Sequence, residues 1–261
     1  MEARAVAQPP RSRRRPTPGL DAVILAGGRG SRLGGVSKGD LEVGGRRLID
    51  VALGAAHDAG ASRTIVVGAV DVQAPAELIR EEPPFGGPAA GLAAALPSVS
   101  APWLLLLACD LPRAPALVEL LTEASGRGTA ASEVATDGQA DADGSPPAST
   151  VRAASVHGAP GGGPDGFVVV DSGGRPQWLA GIYRTTALKR ALERAAAASG
   201  AHGLALRHVL EPLALTRVPD RRGASADIDT PEQLAAERAR AAQRARAAQQ
   251  TITAHGRTQR P

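Results

Sequence analysis

The sequence is poor in several residue types that commonly carry structure or chemistry. Two Trp, one Tyr and two Phe make aromatics only 2% of 261 residues, while hydrophobic residues reach 43%. A core of ordinary density must therefore be built from Ala, Val, Leu and Ile. One cysteine, Cys109, excludes an internal disulfide framework and a four-cysteine zinc site. The histidines, at 57, 157, 202, 208 and 255, show no metal-ligand spacing. Lysine is nearly missing: Lys38 and Lys189 stand among basic residues that are otherwise all Arg. Long apolar runs are missing too. The longest, Trp103 to Cys109, falls far short of the ~20 residues of a membrane-spanning helix. Arg13-Arg14-Arg15 is followed by Pro-Thr-Pro-Gly and then only Val23 to Ala26, not the apolar stretch of about 7–15 residues that an export signal needs. These absences exclude an integral membrane protein and lead us to expect a cytoplasmic one.

The formal charge of +4 is unevenly placed. Residues 1–19 carry five Arg against one Glu, and residues 235–261 carry six Arg against one Glu, so the body between them is acidic. Basic ends on an acidic body argue against a core that binds nucleic acid, leaving at most weak, salt-sensitive contact through the tails.

About 150 residues per domain gives between one and two domains for this length. Asp21-Ala-Val-Ile-Leu-Ala26 reads as a buried strand, followed by a Gly-rich loop from Gly27 to Gly39. Leu48 to Ala59 has helical spacing and stops at Gly60. Thr64 to Val67 and Trp103 to Ala108 read as further buried strands, with Glu77 to Glu81 a third candidate; helices are expected at Gly87 to Leu96 and Pro115 to Ala124. Such alternation predicts an α/β fold, a Rossmann-like, mostly parallel, twisted sheet with helices on both faces. Residues 125–165 break the pattern: Gly, Ala, Ser, Thr, Pro and Asp dominate, so a disordered insertion is expected there. A strand resumes at Gly166 to Val170, then a turn at Ser172 to Arg175 and an extended segment from Gln177 to Arg184. Helices near 185–199 and 203–210, a strand at Leu213 to Val218 and a final helix from Thr230-Pro231-Glu232 complete the reading. The continuation of that helix is polar on most faces and is expected to fray. The organisation predicted is a basic tail at 1–19, one domain at 20–238 and a basic helical or disordered tail at 239–261.

The most informative stretch is Leu25-Ala-Gly-Gly-Arg-Gly-Ser-Arg-Leu-Gly-Gly-Val-Ser-Lys38. Its glycines let backbone N–H groups turn inward on an anion, and Arg32 and Lys38 add positive charge. A loop placed after the first strand of an α/β sheet is where such folds bind nucleotides. It is not a dinucleotide fingerprint, which would need Gly where Leu33 stands, nor a Walker A loop, since Val36 and Ser37 separate Gly35 from Lys38. Asp110 ends the most apolar strand and would sit beside this loop, where Mg²⁺ takes one or two carboxylates plus phosphate oxygens. The plainer alternative is an Asp that caps the helix after Leu111-Pro112.

The loop resembles the L-A-G-G-x-x-x-R-[ML]-G-x-x-x-K pattern of nucleotidyltransferases, and most closely that of molybdenum cofactor guanylyltransferases. Pyrophosphorylases and cytidylyltransferases of the superfamily usually carry Ala-Ala-Gly where this chain has Ala26-Gly27-Gly28. Glu81-Glu82-Pro-Pro-Phe-Gly-Gly-Pro-Ala-Ala-Gly91, Leu107-Ala-Cys-Asp110-Leu-Pro, Gln177-Trp-Leu-Ala-Gly-Ile-Tyr-Arg184 and Asp227-Ile-Asp-Thr-Pro-Glu232 resemble further family segments in the same order. The chain departs from the family at Ser37, where Asp is usual, at Gly68-Ala-Val70, where a polar residue helps hold guanine, and at Asp227 and Asp229, which replace an Asn pair.

The resemblance implies Mg²⁺-dependent transfer of GMP from GTP to the terminal phosphate of molybdenum-molybdopterin, with release of pyrophosphate. It implies nucleotide contacts from Leu25, Ala26, Gly27, Gly28, Gly30, Lys38, Glu82 and Asp110. Lys38, Arg32 and Asp110 would be catalytic, with Arg32 and the loop amides on the β- and γ-phosphates and Lys38 at the α-phosphate. Asp110 would hold the metal, with Asp229 or Asp227 as second ligand. Glu82 would meet ribose or base, or else be a solvated loop carboxylate. Gln177 and Trp178 would face the pterin acceptor, with Trp178 equally readable as core. Molybdoenzymes or molybdopterin-synthesis proteins would be partners for cofactor hand-over. A pterin cytidylyltransferase and a nucleotide-binding regulatory protein are the rival readings of the same residues.

Overall fold

The computed structural model describes residues 19–27, 36–133, 163–197 and 200–258. Its first strand, β1 (Leu20–Ala26), is buried along its whole length. It pairs in parallel with β4 (Thr64–Gly68) on one side and β6 (Trp103–Ala108) on the other. Strands covered on both faces read as continuous apolar runs, which is why these three stand out in the sequence. β5 (Glu77–Ile79) extends the sheet beyond β4. On the other side β8 (Pro176–Arg184) runs antiparallel to β6, β7 (Gly166–Val170) antiparallel to β8, and β9 (Leu215–Pro219) parallel to β7. The order is β5-β4-β1-β6-β8-β7-β9. The sheet is mixed and mostly parallel, as expected, with β5-β4-β1-β6 all parallel.

Side chains of β1 alternate between two cores. Ala22, Ile24 and Ala26 join α1 (Leu48–Asp58) and α3 (Ala114–Glu133) on one face. Val23 and Leu25 join α2 (Pro88–Ala95), α4 (Thr185–Ala196) and α5 (Leu206–Leu210) on the other. Buried Asp21 accepts from the N–H groups of Ser100 and Ala101, both at 2.9 Å, and so ties the turn before β6 to the start of β1.

A third, smaller cluster was not legible from periodicity. β2 (Glu42–Val43) and β3 (Arg46–Arg47) form a hairpin around Gly44 and Gly45, whose φ values are +60° and +74°. Two central residues at positive φ make the tight turn that matches strand twist, and glycine adopts it without steric cost. Leu41, Val43 and Leu48 pack there on Ile228 and on Leu234 of α6 (Pro231–Thr258).

Three expectations need correction. α3 continues to Glu133, nine residues into the segment expected to be an insertion, as an extension of a helix already nucleated by its packed first turns. Asp165, at the far end of that segment, is held in place: its N–H donates to the Ala214 carbonyl at 2.8 Å and its carboxylate accepts from the Ala214 N–H at 3.0 Å. α6 does not fray where its faces become polar but runs to Thr258, with Arg240 and Arg244 gripping buried Glu237 and Ala241 packing against the third cluster. Residues 1–18, 134–162 and 259–261 lie outside the described residues.

Candidate active site

The chain leaves β1 for β4 and β5, then returns to β6 on the opposite side of β1. Such a reversal opens a crevice at the carboxyl ends of the strands. The ends of β1 and β6 are joined there by a hydrogen bond from the Cys109 N–H to the Leu25 carbonyl, 3.1 Å. Gly68, ending β4 at φ +147°, lies so close to β1 that a Cβ would fall 2.6 Å from the carbonyl of Ala26. Only glycine lets the two strand ends meet in this way.

Of the predicted phosphate loop, Leu25, Ala26 and Gly27 are described, whereas Gly28, Gly30 and Arg32 lie outside the described residues. The chain re-enters through Val36 and Ser37 into a single 3₁₀ turn, Lys38–Asp40. Buried Gly39 seats this turn, since a Cβ there would come within 3.1 Å of Val70 and 3.4 Å of Ile49.

Lys38 is thereby aimed at the end of β6. Its Nζ donates to Asp110 Oδ2 at 2.8 Å and also to Asp229 Oδ1. Asp229 comes from a distant part of the chain, and its approach is fixed by backbone. The Ile228 N–H donates to the Asp110 carbonyl at 3.2 Å. Gln233 Oε1 accepts from the N–H groups of Asp229 (2.7 Å) and Thr230 (2.9 Å), while Thr230 Oγ1 accepts from the Gln233 N–H (3.3 Å). This is a reciprocal cap on α6, with Pro231 in the first helical position. Asp227 completes the group: one oxygen from each of Asp110, Asp227 and Asp229 lies within 4.8 Å of the others.

The electrostatics follow from this crowding. Burial pulls the Lys38 ammonium toward neutrality, but hydrogen bonds and charge from Asp110 and Asp229 outweigh it, so the net shift is upward and the group stays charged. Desolvation, then repulsion from Asp229 and Asp110, lifts the Asp227 carboxyl above its ordinary range. Burial pushes the Cys109 thiol up to about 12, with the charge of Asp110 adding to it. Cys109 is therefore a neutral, packed thiol and not a nucleophile.

Lys38 and the three carboxylates thus stand at the strand ends where α/β folds place their ligand crevice. Residues 22–218 match the family described as the MobA-like NTP transferase domain. The chain belongs to that family. Among its relatives, the molybdenum cofactor guanylyltransferase of Pseudomonas paraeruginosa is 36% identical over 131 residues, 43% of this chain and 60% of that protein. The enzyme of the same name from Bordetella petrii is 38% identical over 109 residues, 39% of this chain and 55% of that protein. The chain thus spans 60% or less of the length of these curated relatives. Among solved structures, a nucleotidyl transferase from Methanothermobacter thermautotroptrophicus superposes with TM-score 0.55 at 18% identity, covering 86% of this chain and 98% of that one. A 2-C-methyl-D-erythritol 4-phosphate cytidylyltransferase from Thermus thermophilus gives 0.50 at 19% identity, over 85% and 98%. These likenesses establish the fold. Membership in the family makes residues 22–218 a MobA-like NTP transferase domain.

In this MobA-like chain the other side of the crevice lies beside β4. A Cβ on Gly91 of α2 would meet Leu25 at 3.4 Å, Val67 at 3.5 Å and Glu81 Oε2 at 3.7 Å. Glu81 Oε1 accepts from the Gly86 N–H at 3.2 Å, while Glu82 is exposed. Of the acidic pair, Glu81 is half-buried beside Gly91 and Gly86, whereas Glu82 is exposed.

The two acceptor candidates are occupied differently. Gln177 Nε2 donates to Asp171 at 3.0 Å, and Asp171 also takes the N–H groups of Gly173 and Arg175 in the β7–β8 turn. Trp178 is half-buried against the second core, and its carbonyl accepts from the hydroxyl of buried Tyr183 at 2.9 Å. The structure does not bring either of them into the Lys38 cluster. Among the described residues, no helix is long and apolar enough to cross a membrane.

Proposed function

We propose that this nucleotidyltransferase transfers GMP from GTP to the terminal phosphate of molybdopterin-bound molybdenum, giving the guanine dinucleotide form and pyrophosphate. The observation that supports this reading most directly is Lys38 clasped by Asp110 and Asp229 at the ends of β1 and β6. An oxygen of the pterin phosphate forms a bond to the α-phosphorus, and the bond from that phosphorus to the β-phosphate oxygen breaks. The attacking phosphate is already anionic, so no general base is needed, and catalysis is positioning plus charge neutralisation.

The donor set fits a hard dication: three carboxylates, all oxygen, close enough to converge on one ion. Asp110, Asp229 and Asp227 would hold Mg²⁺, which when bound supplies charge neutralisation at phosphate oxygens. Lys38 is held by Asp110 and Asp229 and would donate to phosphate oxygens of a bound nucleotide. Its permanent charge then lies where negative charge develops on the leaving group. Gly27 offers its backbone to the phosphates. Glu81 faces the nucleoside side of the crevice with an acceptor pair, which suits the N1–H and N2–H₂ donors of guanine. Gln177 and Trp178 lie on the acceptor side only in a pose where the pterin reaches β8.

The test is pyrophosphate release with each of the four nucleoside triphosphates, with and without molybdopterin. GTP with molybdopterin should give the fastest release. Faster release with CTP would overturn the guanylyl assignment and leave a cytidylyltransferase on the same fold.

A further inference from the structure

The carboxylates of the candidate site come from two separate parts of the chain. Asp110 follows β6, whereas Asp227 and Asp229 precede α6. The Ile228 N–H to Asp110 carbonyl hydrogen bond links the two parts inside the site. A second link runs behind it, through Arg113, three residues beyond Asp110. Arg113 Nη1 donates to the carbonyl of Arg222 at 3.2 Å, on the loop that leads to Asp227. Arg113 Nε is buried without a hydrogen-bond partner and stands 3.7 Å from Oε1 of Glu237, on one face of α6. Glu237 is 3% exposed and also accepts from Nη1 of Arg240 (3.1 Å) and Nη2 of Arg244 (3.0 Å).

A carboxylate this buried needs cations around it. Arg240 and Arg244 meet that need from α6 itself, and both are more than half exposed. Arg113 adds something different: one planar side chain in contact with both the 220–226 loop and α6, rooted in the turn that carries Asp110. Three carboxylates within 4.8 Å repel one another, so their spacing has to be held by the parts of the chain that carry them. A guanidinium, with contacts in fixed directions, transmits spacing where a flexible ammonium would not.

We infer that Arg113 and Glu237 form a brace that sets the separation of Asp110 from Asp227 and Asp229, so that Arg113 is a positioning residue for the cation and phosphate site. The inference rests on the proposed reading of that site, but its test reads cation binding directly. Arg113→Met keeps the stem and removes both contacts. The double variant Arg240→Ala/Arg244→Ala strips Glu237 of its other partners and leaves the brace. Mn²⁺ binding to the nucleotide-free full chain is followed by electron paramagnetic resonance, with Tm measured alongside. Arg113→Met should weaken Mn²⁺ binding about 10–100-fold, the range for supports behind metal ligands. The double variant should bind Mn²⁺ like the parent even where its Tm falls as far. If Arg113→Met does not fold, Glu237→Gln is read in its place, with the same weakening expected. Parental Mn²⁺ affinity in the Arg113 or Glu237 variant, or equal weakening in the double variant, would overturn the brace. A parent that binds Mn²⁺ but transfers no nucleotide would sink the functional reading while the variant comparison still decides the brace.

Discussion

Lys38 is the residue on which the account turns. It is held by two carboxylates, and in the proposed reaction it meets phosphate, so its removal should have opposite effects on two observables. Lys38→Ala should lower kcat about 10²–10³-fold, roughly 3–4 kcal/mol, the usual loss for one preorganised donor. The same variant, free of nucleotide, should bind Mn²⁺ more tightly, because Asp110 and Asp229 lose a competing cation. Steady-state kinetics and Mn²⁺ titration check the pair; a variant turning over within about threefold of the parent would fall well short of that loss. Lys38→Arg should not restore kcat, since a planar guanidinium cannot replace a point charge. Glu81→Gln should narrow the GTP preference by about 10–100-fold in kcat/KM, as a hydrogen bond to a charged group is worth about 1.5–3 kcal/mol. Glu82→Gln, at an exposed side chain, should leave it alone. At this scale the sequence was most legible where chemistry is local: Lys38 and Asp110 announced themselves by position. Asp229 was nameable only through resemblance, because its approach to Lys38 depends on contacts 191 residues apart in the chain.

At the scale of elements, the buried strands were read to within a residue or two because apolar runs such as Trp103–Ala108 admit no other placement. The β2–β3 hairpin was missed because two-residue strands of Glu-Val and Arg-Arg have no periodicity to read. Its one signal was Gly44-Gly45. Replacing either with Ala should destabilise the hairpin and the Ile228–Leu234 cluster it covers, seen as a lower urea midpoint. α6 was placed at its start by Thr230 and Pro231 but not along its length, since its anchoring depends on one buried acid, Glu237, amid polar neighbours. Thr230→Ala should cost about 1 kcal/mol through loss of the cap. It should also weaken Mn²⁺ binding slightly, because the same cap fixes the backbone of Asp229; equilibrium unfolding and Mn²⁺ titration separate the two effects.

For the whole molecule, two buried acids set the acid limit of stability. Burial alone would raise Asp220, but the Ser225 N–H (2.7 Å), the Ser225 hydroxyl (2.8 Å) and the Arg222 N–H overcome it and hold the carboxyl below its ordinary range. Glu237 is likewise raised by burial and lowered further by Arg244, Arg240 and Arg113. A folded pKa below the unfolded one stabilises above the unfolded value, about 4 for carboxyls, and is lost as pH falls through the folded one. Asp220→Asn should therefore flatten the fall in urea midpoint between neutral pH and about pH 3. The architecture of the first half was legible because its central strands β1, β4 and β6 are buried apolar runs. The antiparallel placement of β8 between β6 and β7 was not, because no local pattern records which strand a segment will join.

The central claim is that this crevice moves a nucleotidyl group onto a pterin phosphate. It is tested most directly by following GTP labelled at the α-phosphate in the presence of molybdopterin and Mg²⁺. The account predicts label in a pterin dinucleotide, one pyrophosphate released per label transferred, and loss of both on chelation without loss of fold. Label that stays in GTP, and in every other nucleoside triphosphate offered, while the protein remains folded and binds the cation, would contradict it.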